Sequence, residues 1–396
     1  MTGCTFKRIL PSGKISWGYS IDAGRDENGK RKQIFKSGFS RKLDADIELA
    51  RLVNERNEGS LVRPDPRTFG EFTEAWLTEY AEVSCAPKTA ERYREMMLHV
   101  TREIGSQPLS KVTTLQLQRV YNKMLKEGKR DGSGLSIKSV RNAHGAVHVA
   151  LETAVTWGLL KMNPAARCKL PPAPRREAVS LDFSETRRLL ESCADHWLSG
   201  LMIVAAGSGA RRGELLALTW PSVNLDAGTI TIAKSLEQIK SVVRVKETKG
   251  RNVRTLTLPS DALDALKSLK ELQGQTREQC GPDYRTDLDL VFCHPGGNYI
   301  LPGTITKAVR RIAAKAGFVG VSIHTLRHSH GSQLLSAGVP LPAVSKRLGH
   351  TNIYVTATVY AHVLASDESA AAAKWDAAMK HAPDSKVVAM PRKKRA

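Results

Sequence analysis

The spacing of apolar residues along the first 60 positions predicts a small sheet backed by one helix. Residues 14–22 alternate apolar and polar side chains around Trp17 and Tyr19, which is the period of a half-buried strand. Segments 4–10 and 30–39 supply two further strand candidates. From position 41 onward the apolar residues recur at helical spacing. The apolar stripe of this helix is expected to consist of Leu43, Ile47, Ala50 and Val53.

A wholly helical segment follows the first linker, residues 62–66. Thr68 and Glu71 have the spacing of a capping box, and the apolar residues after them recur with a helical period. This pattern predicts a first helix that begins near Thr68. Three more helices are predicted at 88–103, 113–127 and 136–159. The segment therefore reads as a four-helix unit.

Prolines between residues 164 and 176 are too dense for a helix or a sheet to continue, which predicts an extended basic linker. The rest of the chain has the pattern of a mixed α/β domain that is mainly helical, with a helix near 367–380. Its strand candidates are 228–233, 242–247, 253–258 and 290–293. We predict a multidomain α+β chain with units at 1–62, 67–165 and 178–382, a linker at 166–177 and a basic tail at 383–396.

The net charge of the chain narrows the class of partner. Its formal net charge is +21 and its pI is about 9.8. All three predicted units carry an excess of Lys and Arg, so one basic tail does not account for the charge. Such a field attracts polyanions, and nucleic acid is the expected partner. Contacts to phosphate from several segments predict binding that weakens steeply with salt.

The six cysteines and the N-terminus indicate the cellular compartment. The cysteines form no CxxC pair and no spacing typical of a zinc site, so we expect free thiols in a reducing compartment. The N-terminus lacks the apolar run of a signal peptide, and no segment has the length and hydropathy of a membrane span. We therefore expect a cytoplasmic protein that does not enter a membrane.

Short polar motifs in the last 200 residues supply the candidate chemistry. The glycine-rich segment 207–213 lacks the GK[ST] of a phosphate-binding P-loop and the glycine spacing of a dinucleotide site. HExxH, GxSxG and DxDxG motifs are absent from the sequence, so metal-assisted hydrolysis and serine chemistry find no support. The remaining candidates are Arg211 with Glu214, Lys249, His324 with Arg327, His350, and Tyr360.

These residue types together suit attack on a phosphodiester. Such a reaction needs a nucleophile, cations that hold the non-bridging oxygens, and an acid that protonates the departing oxygen. Arginine donates two parallel hydrogen bonds to phosphate and stays charged, and His324 lies three residues before Arg327 and so shares its helix face. A tyrosine with a pKa near 10 becomes usable as a nucleophile when positive groups surround it.

The same segments resemble the ordered motifs of the tyrosine recombinase (integrase) family. The matching segments are ARRGE, KGRNVRTLTLP, HTLRHSHGSQLLSAGV, RLGH and VTATVYAHV. The ten residues from His350 to Tyr360 match the gap between the last two motifs of the family. The N-terminal layout resembles integrases of temperate phages and integrative elements. The resemblance therefore implies an arm-type DNA-binding domain, a SAM-like helical core-binding domain and a catalytic domain.

The resemblance also assigns roles to the candidate residues. Arg211 and Arg327 would clamp the scissile phosphate, with His350 assisting, and His324 would contact the phosphate or accept the tyrosine proton. Lys249 would protonate the leaving 5′ oxygen. Tyr360 would attack and form a 3′-phosphotyrosine. In addition, Glu214 would orient the arginine, and the DNA contacts expected in the arm domain are Lys30, Arg31, Lys32 and Lys36.

The family further implies the partners of the chain. Its substrate would be double-stranded DNA at attachment sites, where four protomers assemble, with integration and excision of a phage or mobile element as the outcome. A host protein that bends DNA and an excision factor would assist. The resemblance implies neither metal nor cofactor, because the phosphotyrosine retains the energy of the broken bond, and the enzyme would act at the nucleoid of a bacterial host.

Alternative interpretations remain open for several residues and for the whole chain. Arg212 is expected to be structural, His328 and His330 to be histidines with satisfied hydrogen bonds, and Tyr354 to pack rather than react. Lys249 is placed in a hairpin between 242–247 and 253–258, where neighbouring cations compete for its role. For the chain, the alternatives are a type IB topoisomerase, which relaxes DNA as a monomer, and a non-catalytic DNA-binding regulator.

Overall fold

The structure is a computed structural model that describes residues 3–11, 13–25, 31–57, 66–174, 179–247, 253–360 and 368–380. The chain divides into two compact units, residues 1–175 and 176–396. Among the helices in the described ranges, none has both the length and the apolar character that a membrane span requires. The finer domain boundaries expected from the sequence stay predictions.

The first unit begins with an antiparallel sheet. Strands β1 (Gly3–Ile9), β2 (Ile15–Arg25) and β3 (Arg31–Phe39) pair in chain order, and helix α1 (Lys42–Asn57) packs against them. The small core between sheet and helix is formed by Tyr19, Ile21 and Leu52. The predicted three-stranded sheet backed by one helix is therefore confirmed.

The predicted apolar stripe of α1 is wrong for Leu43, Ile47 and Ala50, although Val53 packs against the core as expected. Leu43 and Ile47 are each 60% exposed, whereas Ala45 and Leu52 are buried and Leu49 packs against the core. The residues that face the core are Ala45, Leu49, Leu52 and Val53, which keep a helical spacing but lie on a different side of the helix from Leu43 and Ile47. Helical spacing alone does not distinguish two such stripes, and the sheet decides which of them is buried.

The helical part of the first unit starts at the predicted capping box. Helix α2 (Phe69–Trp76) begins after Thr68, whose hydroxyl accepts a hydrogen bond from the Glu71 amide at 3.2 Å, while the Glu71 carboxylate accepts one from the Thr68 amide at 2.7 Å. The chain continues through a π-helical turn, Leu77–Ala81, and the short helix α3 (Glu82–Ser84). The remaining helices are α4 (Pro87–Ile104), α5 (Thr114–Glu127) and α6 (Ile137–Thr156).

Trp76 belongs to the core of the helical part. It is fully buried, and its indole N–H donates a hydrogen bond to the Thr153 hydroxyl at 3.1 Å. The rings of Tyr80 and Tyr93 lie 5.6 and 5.3 Å from it, centroid to centroid. A buried tryptophan contributes a large apolar area, and its polar atom needs a partner. The predicted helices at 88–103, 113–127 and 136–159 agree with the structure to within three residues at each end.

The second unit is mainly helical. A single hydrophobic core that includes Leu201, Leu215, Val291, Val309 and Leu326 joins most of its helices. The helices are α7 (Phe183–Glu191), α8 (Ser199–Ser208), α9 (Arg212–Leu216), α10 (Ser260–Cys280), α11 (Pro302–Lys315), α12 (Ile323–Ser336), α13 (Leu341–Leu348), α14 (Ile353–Val359) and α15 (Glu368–Lys380).

The strands of the second unit form two small antiparallel sheets. One has the order β4 (Val223–Asn224), β5 (Thr229–Ile232) and β8 (Arg254–Thr257), and the other is the hairpin of β6 (Lys234–Ile239) and β7 (Val242–Glu247). The expectation that 242–247 and 253–258 form a hairpin is wrong, because β7 pairs with β6, which the sequence did not predict. Glu237, a charged residue in the middle of β6, is only 8% exposed. The strand therefore lacks the alternation of apolar and polar residues by which a strand is predicted from sequence.

The strand predicted at 290–293 is also wrong. Leu290 and Cys293 each form only an isolated bridge, with Thr219 and Tyr299. Asp289 has a φ of 41°, so the backbone turns immediately before the segment. An extended ladder does not develop beside such a turn.

Candidate active site

Arg211 stands at the start of α9 and is held from two sides. Its Nη1 donates to the Glu214 carboxylate at 2.9 Å, and its Nη2 donates to the backbone carbonyl of Gly349 at 2.9 Å. Its amide N–H also donates to Glu214, at 2.8 Å. The side chain stays 43% exposed, so the oriented guanidinium faces solvent.

Arg327 lies on α12 and is 3% exposed. Its Nη1 donates to the carbonyl of Gly209 at 2.7 Å and its Nη2 to the carbonyl of Leu348 at 2.8 Å. Gly209 ends α8 and Leu348 ends α13, so both acceptors lie at the negative ends of helices, where cations are stabilised. Burial, with the charge of Arg211, lowers the pKa of Arg327 to about 10, which leaves it charged at neutral pH.

The end of α13 brings the two arginines together. Their acceptors on this segment, the carbonyls of Leu348 and Gly349, are adjacent in the chain and directly precede His350. Gly349 has a φ of 68°, and a side chain there would meet the guanidinium of Arg254, so the turn requires glycine. The two arginines are thus held by the two residues that directly precede His350.

His350 is fixed and neutral. Its Nδ1 lies 2.7 Å from the hydroxyl of Thr356, which is fully buried. Burial, together with the charges of Arg327 and Arg211, lowers the pKa of His350 to about 4. The ring is therefore uncharged at neutral pH, mainly because it is buried, and the charges of the two arginines add to this effect.

His324 lies one turn before Arg327 on α12. Burial of its ring nitrogens lowers the pKa of His324 to about 4, with further contributions from His328, Arg327 and Arg211. Its ring meets that of His328 edge to face, with centroids 4.6 Å apart. Because the charges of Arg327 and Arg211 act on His324, it belongs to the same site as these two arginines.

Tyr360 caps the end of α14 and is 1% exposed. Its ring packs with Val344 and Leu348, and a side chain at Gly331 would overlap its hydroxyl. Burial raises the pKa of the phenol, and the charge of Arg327 acts in the opposite direction. The hydroxyl therefore rests beside α12 in its protonated form.

Of four further residues with stated expectations, Tyr354 and His328 differ from them, whereas His330 and Arg212 agree. Tyr354 is 72% exposed, so it does not pack. His330 accepts a hydrogen bond from Arg347 at 2.9 Å, as expected of a satisfied histidine, whereas the buried Nδ1 of His328 has no hydrogen-bond partner among the described residues. Arg212 hydrogen-bonds to Thr306, in keeping with a structural role. The described residues contain no group of three side chains suited to hold a metal ion.

Arg254 is the main site residue that the sequence did not reveal. Its Nη1 and Nη2 donate to the Glu214 carboxylate at 3.2 and 2.7 Å, and its Nε donates to the Arg347 carbonyl at 3.1 Å. Glu214, which is 2% exposed, thus joins Arg211 to Arg254. The sequence contained a sign of this role: Arg254 lies two residues before the buried Leu256 on β8, so both side chains point to the same face of the strand.

Some predicted site residues are not placed by the structure. Lys249 lies outside the described residues, beyond the end of β7. In the arm domain Lys30 is also outside them, and the side chains of Arg31 and Lys32 are not described. Lys36 is described: its Nζ lies 4.0 Å from Glu48, and its side chain is 57% exposed.

Models of phage integrase domains match three segments of the chain. Residues 180–367 match the model of the phage integrase family. Residues 68–125 match the N-terminal SAM-like domain of phage integrases, and residues 5–55 match an arm DNA-binding domain. The order of these matches is the order that the resemblance implied.

Relatives match over most of their length. A tyrosine recombinase XerC-like protein of Caldanaerobacter subterraneus is 28% identical over 378 residues, which cover 90% of this chain and 94% of the relative. An integrase of Streptomyces ambofaciens is 27% identical, covering 87% of this chain and 88% of the relative.

Solved structures of two integrases share the fold. The Tn1549 transposon integrase, in complex with a circular intermediate DNA, matches with a TM-score of 0.66 at 18% identity, over 78% of this chain and 99% of that one. A lambda integrase from a tetramer bound to a Holliday junction matches with a TM-score of 0.59 at 19% identity, over 89% and 94%. Three models of integrase domains match in order along the chain, and a relative matches over 90% of the chain and 94% of its own length. The chain therefore belongs to the phage integrase family of tyrosine recombinases.

Proposed function

We propose that this chain is a site-specific DNA recombinase that cuts and rejoins DNA through a covalent bond between a 3′ phosphate and Tyr360. The observation that carries the proposal is the convergence of Arg211 and Arg327 on adjacent carbonyls directly before His350. Two guanidinium groups held in this way offer forked donors to the non-bridging oxygens of one phosphate. Because both are fixed before DNA binds, little reorganisation is needed as charge develops.

In the cleavage step the phenol oxygen of Tyr360 attacks phosphorus, and the bond from phosphorus to the 5′ oxygen breaks. Lys249 donates a proton to the leaving oxygen, and neutral His324 takes the proton of the phenol. A bound phosphate raises the basicity of His324, because its negative charge offsets the arginines that lower the pKa of the free protein. Rejoining reverses the step with the 5′ hydroxyl of the partner duplex, so one phosphoester replaces another and no energy source is consumed.

The rest of the chain serves DNA binding in this proposal. The net charge of +21 favours a polyanion, and the arm domain would contact DNA through Lys30, Arg31, Lys32 and Lys36. Four protomers would assemble on two duplexes, an arrangement supported by the fold shared with the lambda integrase tetramer. A DNA-bending host protein and an excision factor would set the direction, and the reaction would take place in the bacterial cytoplasm.

A nicked suicide duplex that carries the attachment site adjoining the gene tests the proposal. Wild type should form a covalent adduct that survives denaturation, and peptide mapping should place it on Tyr360. Tyr360→Phe should form none. Tyr354→Phe is the matched control, since it removes the same hydroxyl from a ring that is 72% exposed, and its adduct yield should equal that of wild type.

The products then separate the alternatives. A recombinase joins the cleaved strand to a second duplex, which appears as a recombinant product when two sites are present. Relaxation of supercoiled DNA without joint products would instead indicate the topoisomerase. DNA binding without any adduct would indicate the regulator and refute the proposal.

A further inference from the structure

The outer face of α11 carries three cations. Lys307, Arg311 and Lys315 follow one another at four-residue intervals, so they project from one face, where like charges repel. The described residues give none of the three an ion-pair partner. Elsewhere Lys123 and Arg285 lie 2.9 and 2.6 Å from carboxylates. The three side chains are therefore available to bind an anionic ligand.

The stripe forms one wall of a cavity of about 520 Å³. The turn that carries His196 and Trp197 also lines the cavity, as do the apolar side chains of Ala308 and Ile312. No carboxylate lines it within the described part of the chain. The volume falls within the range of about 300 to 1,000 Å³ that is typical of ligand sites.

Trp197 gives the cavity an aromatic platform. The indole is 54% exposed although it is large and apolar. Its ring centroid lies 5.9 Å from that of His196 and 6.3 Å from that of His294, at interplanar angles of 28° and 26°. These distances are those of offset stacks, which orient the indole and leave part of its surface open.

A flat ring beside a line of cations fits one ligand chemistry: a nucleobase with phosphates on both sides. Successive cations on α11 are about 6 Å apart along the axis, given a rise of about 1.5 Å per residue. An extended nucleic-acid strand presents phosphates at comparable intervals and exposes its bases for stacking on aromatic side chains. In a duplex the bases are paired and stacked inside, where Trp197 does not reach them.

We propose that the cleft between the His196–Trp197 turn and the outer face of α11 binds single-stranded DNA, with a base stacked on Trp197 and the flanking phosphates on Lys307, Arg311 and Lys315. The site uses none of the residues that hold the scissile phosphate. The proposal therefore goes beyond the recombinase activity and does not depend on it.

Binding of fluorescein-labelled dT12 to the full-length chain, measured by anisotropy at several salt concentrations, tests the proposal. Trp197→Ala should weaken binding about tenfold or more, while Trp197→Phe keeps most of the affinity. The triple change to Gln at 307, 311 and 315 should reduce the slope of log K against log salt by about 2, because each single-strand phosphate contact contributes about 0.7. Arg310→Gln, on the same helix but outside the cavity wall, should leave the Trp197-dependent binding unchanged.

A photocrosslink locates the strand. An oligonucleotide with 5-iododeoxyuridine should crosslink to the peptide that contains Trp197, and free dTMP should compete only weakly because it engages a single phosphate contact. Crosslinks confined to other peptides, or unchanged affinity and salt slope in the variants, would overturn the proposal. So would equal affinity for dTMP, which indicates a free-nucleotide site, or displacement by a glutamate–tyrosine copolymer at lower concentration than by dT12, which indicates an acidic peptide.

The Tyr360→Phe variant separates this proposal from the proposed function. It should lose the covalent adduct and bind dT12 as wild type does. Failure of the suicide-substrate assay with normal crosslinking at Trp197 would count against the recombinase alone, and the converse result would count against the cleft alone.

Discussion

Substitution of Glu214 by Gln tests whether one buried carboxylate organises the cations of the active site. Its Oε1 accepts from Nη1 of Arg211 and of Arg254, and its Oε2 accepts from the Arg211 amide and from Arg254 Nη2. Glutamine keeps the shape but replaces one oxygen with an NH₂ group, which then faces two donors. Burial would raise the pKa of Glu214, yet the hydrogen bonds and charges of Arg254 and Arg211 prevail and lower it, so the ionised form is favoured.

The expected loss of stability follows from these contacts. Breaking a buried ion pair costs about 3 to 5 kcal/mol, and a hydrogen bond to a charged group contributes about 1.5 to 3 kcal/mol. Glutamine retains half of the acceptors, and Arg211 is 43% exposed, so screening by solvent reduces its share. We therefore expect a loss of about 3 kcal/mol, the lower end of the range, which corresponds to about a hundredfold in an opening equilibrium.

The labelling rate of a buried cysteine measures this opening without the assumption that the whole chain unfolds in one step. Cys193 is 1% exposed and belongs to the same hydrophobic core as Leu215 and Leu216, which neighbour Glu214. Mass spectrometry separates its thiol from the other five cysteines. At neutral pH, Glu214→Gln should raise the labelling rate of Cys193 about a hundredfold, in keeping with an opening about 3 kcal/mol easier.

Glu237→Gln serves as the matched control. Glu237 is 8% exposed, and its one ionic partner among the described residues is Lys246, whose side chain is 47% exposed, so a loss of about 0 to 1 kcal/mol is expected. A labelling rate for Glu214→Gln within a factor of three of wild type would refute the reasoning that this carboxylate holds the two arginines. Equal acceleration by both substitutions would refute its specificity.

Further predictions concern the turn, the histidines, the acid and the helical core. Gly209→Ala places a Cβ 2.6 Å from the ring of His330 at a φ of 64°, so the catalytic unit should lose about 1 to 3 kcal/mol, measured by the same thiol labelling. The pKa of His350 is lowered to about 4, so the unfolded chain binds a proton at this residue more readily than the folded chain does. The free energy of unfolding should therefore be unaffected by His350 above pH about 6.5 and should decrease as the pH falls towards 4. Imidazole NMR should show this pKa rising when DNA binds. Lys249→Ala should slow cleavage of ordinary DNA but not of DNA with sulfur in place of the 5′ oxygen, since a thiolate leaves without a proton; equal slowing of both substrates would exclude the acid role. Trp76→Ala should destabilise the helical core by about 3 to 5 kcal/mol, visible as an earlier transition in urea monitored by far-UV circular dichroism.

The amino-acid sequence determined the family, the order of the domains and the main helices of the first unit. These features depend on local information: the period of apolar residues, capping signals such as Thr68 with Glu71, and side chains whose chemistry suits a phosphate. The residues proposed to react were identifiable for the same reason, since their types and spacing form motifs. Arg254 was within reach of the same reasoning through its alternation with Leu256.

Only the tertiary structure decided which of two equivalent stripes α1 buries, and that β7 pairs with β6. It also decided that Arg211 and Arg327 share the end of α13, through hydrogen bonds to acceptors 138 and 21 residues away, and that Tyr360 rests under cover beside Gly331. Contacts of this kind depend on how distant segments pack and on which carbonyls remain free at helix ends. The local spacing of apolar residues does not determine how distant segments pack or which carbonyls remain free, because the same spacing is compatible with several packing partners.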